Sequence, residues 1–100
     1  MTVKLLLTWD IAPEHEKDYF EFVISEFVPG VQHLGLQPIE AWATVYGEYP
    51  QIQVGMLAES LEEARRALRS DSWNSLTDKL FALVQNYNYK IVPARNSFQF

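Results

Sequence analysis

The side chains best equipped for chemistry in this chain are few and dispersed. Two histidines, His15 and His33, stand eighteen residues apart among scattered carboxylates. A metal centre needs three or four ligands at a close, recurring spacing, and none occurs, so no metal is expected. The absence of cysteine excludes disulfides, thiolate nucleophiles and zinc–sulfur centres. Glycines 30, 35, 47 and 55 never gather into a phosphate-cradling loop. Serines and histidines combine into Ser-His-Asp sets by chance alone, with nothing else to support a triad. His15 lies between Glu14 and Glu16 and reads as a solvent-facing residue of a first helical turn. His33 lies between Gly30 and Gly35, where backbone can approach a ligand and an imidazole can move a proton. Closing a helix or contacting a second subunit is its plainer role.

Carboxylates beside indole rings form the other group of interest. Asp10 follows Trp9 at the end of an alternating stretch, and Glu40 and Trp42, two apart, share one face of another. A carboxylate in such a setting could serve as a base. Its structural alternative is that Asp10 starts a turn and Glu40 is simply hydrogen-bonded. The residues able to offer both ring surface and polar contacts to a ligand are Trp9, Asp10, His33, Glu40, Trp42 and Tyr46, with a subset around His33 and Trp42 the core of the set. Trp73 shares a helical face with Leu76 and Leu80, which reads as core. Arg65 and Arg69, one turn apart, could grip an anion, and salt bridges to Glu62 and Asp71 are the simpler account.

The elements that must position these groups follow from periodicity. Val3, Leu5, Leu7 and Trp9 alternate with Lys4, Leu6, Thr8 and Asp10, a strand over about 3–10. Pro13 suits a first helical turn, and Phe20, Val23, Ile24, Phe27 and Val28 recur at helical spacing. Pro29-Gly30 predicts a break, then an irregular segment carrying His33 and a left-handed stop at Gly35. Ile39, Ala41, Ala43 and Val45 alternate over about 38–46. A turn at Gly47-Glu48-Tyr49-Pro50 leads to Ile52, Val54, Met56 and Ala58, which predicts a hairpin. Ser60-Leu61-Glu62-Glu63 is a capping box, and Ser70-Asp71-Ser72 divides the helical region that follows. Tyr87, Tyr89 and Ile91 mark the last long strand, and Asn96–Phe100 could form another short one.

The order is βαββαβ over residues 1–100, one α+β domain. With right-handed crossovers it predicts a ferredoxin-like four-stranded antiparallel sheet of order 4-1-3-2, both helical regions on one face. The other face would carry Leu6, Trp42, Tyr46, Leu57 and Val92 among Lys4, Thr8, Glu40, Thr44, Gln53 and Lys90, too apolar to leave wholly in water. A second copy packed sheet to sheet would cover it, which predicts a homodimer. Thirteen acidic residues against eight basic ones give a net charge of −5. Its densest arginines, Arg65, Arg66 and Arg69, follow Glu59, Glu62 and Glu63 on one mixed-sign helix face, so nucleic-acid binding is not expected. The apolar start is too short to cross a membrane and lacks a cleavage pattern, so the expectation is a soluble, cytoplasmic protein.

Two stretches carry a family resemblance. VGMLAESLEEARRALRSDSWNSLTDKL, residues 54–80, resembles the second half of a NIPSNAP-type domain: a strand, a helix with arginines, a Ser/Asp break, and a tryptophan opening a further helix. Ser60, Arg65, Arg69, Asp71 and Trp73 fall on those positions. GLQPIEAWATVYGEYPQI, residues 35–52, is similar to that family's glycine-led second strand and turn. The resemblance implies the dimeric α/β-barrel superfamily, which includes EthD-like proteins, antibiotic-biosynthesis-type monooxygenases and haem-degrading enzymes. The haem-degrading members hold iron through a histidine in the second helical region. Residues 61–85 contain none, and no cofactor is expected. Some monooxygenases of the superfamily use an asparagine and tryptophans without any cofactor. Asn74 follows Trp73 here, but neighbouring helix residues point about 100° apart. The mixed aromatic and polar second sheet face and the lack of a catalytic constellation point to a NIPSNAP-like protein that binds a small apolar or aromatic molecule. Its alternative is a cofactor-independent monooxygenase or isomerase acting on an aromatic or polyketide-like substrate, which leaves enzymatic activity open.

Overall fold

Strand β1 (Val3–Ile11) organises the molecule because it is buried on one side along its whole length. Val3, Leu5, Leu7, Trp9 and Ile11 are buried, while the residues between them are half-exposed. A strand with that alternation must have helices on one face and neighbours on both edges. A computed structural model describes residues 1–46 and 49–94, with backbone only at 45–46 and 49–50. In it β1 pairs antiparallel with both β3 (Tyr49–Ala58) and β4 (Val84–Pro93), and β2 (Gln37–Tyr46) pairs with β3. The sheet order β2-β3-β1-β4 is the predicted one, and the fold is α+β and ferredoxin-like. β3 begins at Tyr49, earlier than the sequence suggested, so Tyr49 and Pro50 belong to the strand and pair with Tyr46 and Val45. Residues 47–48 and the expected short strand at 96–100 lie outside the described residues.

Two bulges set which side chains face the helices. Thr8 pairs with Asn88 but Asp10 pairs with Gln85, so β4 carries one extra residue there. Asn86 absorbs it at φ 58°, a left-handed conformation that asparagine tolerates, and donates from Nδ2 to Asp10 Oδ2 at 2.8 Å. The bulge rephases β4, so that Val84 and Tyr87, three residues apart, both reach the helix side. The second bulge lies on β2, where Pro38 pairs with Met56 and Glu40 with Gly55.

The first helical arm corrects the sequence reading. It starts at Glu16, not at Pro13, after a turn in which Glu14 takes φ 69°. It then runs through Pro29-Gly30 without a break, as α1 (Glu16–Phe22), a π-helical turn (Val23–Phe27) and α2 (Val28–His33). In α geometry the Pro29 ring would meet the carbonyl of Ser25, four residues back; a wider turn, closed by the Val28 N–H on the Val23 carbonyl, stands just before it. The arm's core set is also not the predicted one. Tyr19, Phe22, Phe27 and Val31 are buried, whereas Phe20 and Ile24 are exposed. The π turn explains the five-residue step from Phe22 to Phe27. The arm ends as expected: Gly35 has φ +84°, its N–H donates to the Gln32 carbonyl, and the Leu36 N–H to that of Val31.

Both serine caps form. Ser60 Oγ accepts from the Glu63 N–H and opens α3 (Leu61–Leu68); Ser70 Oγ accepts from the Trp73 N–H and opens α4 (Asp71–Phe81). The Glu63 carboxylate pairs forward with Arg66, at 2.9 Å, and not back to the cap. Trp73 is buried and meets Phe27, as the core reading of Trp73 required. Gly30 is where α4 passes α2, since a Cβ there would lie 2.6 Å from Leu76 Cδ1. No helix among the described residues is long and apolar enough to cross a membrane.

Candidate functional site

The helical arm does not close fully on the β2–β3 edge of the sheet. On the helix-facing side the middle of β2 offers the methyl groups of Ala41 and Ala43, paired with Val54 and Ile52. These short side chains leave a gap beneath Phe20, Val23, Phe27 and Val28, a cavity of about 500 Å³ with almost wholly apolar walls. Trp9 and Tyr19 close its inner end.

That inner end is rigid. The Trp9 ring is 1% exposed, stacked on Tyr87 with centroids 6.2 Å apart and met edge-on by Tyr19 at 6.3 Å and Phe27 at 6.0 Å. Its Nε1–H donates to Tyr19 Oη at 3.0 Å. Burial raises the Tyr19 phenol above its ordinary range, and the Trp9 bond only partly offsets this. Tyr87 is pushed up to about 12, first by burial and then by neighbouring Tyr89. Both phenols are therefore neutral at physiological pH.

The six residues singled out from the sequence are spread over three places. Trp9 forms the inner wall of the cavity, and Glu40 and Trp42 flank it along β2. The Glu40 carboxylate lies on the outer sheet face, over Gly55, and accepts from Lys4 Nζ at 3.1 Å. Trp42 stands on that same face, 61% exposed. Asp10 also points outward and holds the β4 bulge through Asn86. His33 is exposed at the end of α2, beside a separate groove formed with Asp71, Ser72, Ser75 and Lys79. The Tyr46 side chain lies outside the described residues. So three of the six border one cavity, and His33 and Asp10 do not. Among the described residues, no three of His, Asp and Glu come together as a metal site would require.

Tyr19, Phe27, Ala41 and Ala43 build the cavity and were not among the sequence candidates. One signal pointed toward Tyr19: a buried indole N–H needs an acceptor, and Trp9 sits on the buried side of β1. No comparable signal marks the alanines, because their meaning depends on the size of what faces them.

The geometry has solved counterparts. A NIPSNAP family protein from Agrobacterium tumefaciens superposes with a TM-score of 0.75 over 98% of this chain and 96% of its own, at 16% identity. The fold is that of the NIPSNAP proteins. A NIPSNAP-like domain protein from Burkholderia xenovorans matches with a TM-score of 0.72 over 99% of this chain and 89% of its own, at 18% identity. SnoaB, a cofactor-independent oxygenase from Streptomyces nogalater, also shares the fold, with a TM-score of 0.72 over 99% and 98% of the two chains at 14% identity. No family model matches this sequence, and no curated protein does. The NIPSNAP-like fold agrees with the resemblance carried by residues 35–52 and 54–80, and at these identities the likeness is one of architecture.

Proposed function

We propose that this protein binds a small, largely apolar or aromatic molecule between its first helical arm and the β2–β3 edge, and that it does so as a cytoplasmic homodimer. One observation carries the reading: the cavity of about 500 Å³ lies within the size of ligand pockets, about 300–1,000 Å³. Apolar walls with one polar point are the usual composition of such a site. Recurrence of NIPSNAP proteins among the structures sharing this fold favours a NIPSNAP-like reading over the oxygenase reading suggested by SnoaB.

The test is to fill the gap. Ala43→Phe places a ring where the Ala43 methyl leaves space. Saturable binding of a polarity-sensitive dye, displaced by aromatic hydrocarbons, is expected for the wild type. The variant should bind at least about tenfold more weakly while keeping its melting temperature, because the ring occupies existing space. Equal dye binding by both proteins would overturn the assignment of the cavity.

A further inference from the structure

We infer that the molecule held in this cavity is neutral and carries a carbonyl, or an equivalent acceptor, that takes a hydrogen bond from the Tyr19 hydroxyl. The inference rests on the binding reading above and narrows it to one chemical class. It starts from the direction of a single bond. An indole N–H can only donate, so in the 3.0 Å contact Trp9 is the donor and Tyr19 Oη the acceptor. The hydroxyl's own hydrogen cannot then point at Trp9, and among the described residues no acceptor takes it. Tyr19, which lines the inner end of the cavity, thus keeps an unspent donor.

The surroundings fix that donor and sharpen it. Trp9 is held by Tyr87 on one side and the edge of Phe27 on another, so the acceptor bond has little freedom to swing. Accepting from Trp9 polarises the Tyr19 O–H and makes it a better donor. Burial keeps the phenol protonated. A ligand offering only donors would leave the O–H unmatched. An anion fits worse still: among the described residues no lysine, arginine or histidine lines the cavity, and hydrocarbon walls strongly disfavour a charge. A neutral carbonyl on an apolar frame matches both the donor and the walls.

The experiment uses a matched set on the full chain: tetralin, the ketone alpha-tetralone, and the carboxylate of tetralin carboxylic acid, each titrated by calorimetry. The ketone should bind about tenfold tighter than the hydrocarbon, the factor one well-placed neutral hydrogen bond supplies, and the carboxylate weaker than either. In Tyr19→Phe the ketone should fall to the hydrocarbon's affinity while the hydrocarbon is unchanged. Since that variant leaves the Trp9 N–H unpaired, folding is checked independently, and a second readout needs only the wild type. The infrared carbonyl stretch of bound tetralone should lie below its position in an alkane solvent. A stretch at the alkane position, or equal affinity for ketone and hydrocarbon, would overturn the carbonyl preference and leave the cavity reading standing. Failure of every member to bind would overturn the cavity reading itself.

Discussion

Tyr87 carries two loads at the residue scale: it stacks on Trp9, and it holds a phenol pushed up to about 12 from an ordinary 10.0. The folded chain keeps this proton more tightly than the unfolded chain does. Its contribution to stability is therefore fully present below pH 10 and is lost as pH rises toward about 12. The urea midpoint should fall across that window, and Tyr87→Phe, which keeps the ring and removes the ionisation, should flatten the fall. A variant whose midpoint declines as steeply as the wild type would show that Tyr87 is not the group responsible. This scale is also where the sequence was least informative about the site. Trp9 and Asp10 are consecutive on a strand and so face opposite sides, which the period of two already implied. Glu40 and Trp42 share Asp10's side, so Trp9 could not meet their side chains on one face. The Trp9–Tyr19 bond joins residues ten apart across two layers, and no local pattern encodes it.

Among the elements, period and caps were legible and helix phase was not. The alternation of β1 and the serines at 60 and 70 placed strand, starts and interruption correctly, because each depends on a few adjacent residues. The passage of the first arm through Pro29 depends on a compensation one turn earlier, which propensity alone cannot show. A π turn is an α-helix with one residue added, so the addition can be removed. Ile24, 73% exposed, is the residue to delete. The deletion should keep Phe22 and Phe27 inward at four-residue spacing, yet return the Ser25 carbonyl to the path of the Pro29 ring, a cost of about 3 kcal/mol. Deletion combined with Pro29→Ala should recover most of that loss. Urea unfolding of the three proteins decides the matter, and a deletion that is neutral by itself would show that the π turn does not accommodate the proline.

For the whole molecule, what remains is the sheet face that the helices leave uncovered. Leu6, Leu57 and Val92 are half-buried there, and beside them Trp42 is 61% exposed and the Lys4–Glu40 pair spans β3 over Gly55. A face of this mixed kind suits a partner with the same mixture, and a second copy supplies it through a two-fold axis. Trp42 is the residue on which the two arrangements differ. In the single chain its ring contributes little to the core, so Trp42→Glu should leave the fold intact. In a sheet-to-sheet dimer the same change would bury an unpaired carboxylate at a cost of several kcal/mol, on the order of 3, enough to dissociate it. Light scattering at micromolar concentration should therefore give about twice the 11.6 kDa chain mass for the wild type and the chain mass itself for the variant, with unchanged far-ultraviolet circular dichroism. A wild type that stays at 11.6 kDa as concentration rises would remove the dimer from the proposal. The cavity would survive that result, because its walls lie on the opposite face of the sheet and come from one chain.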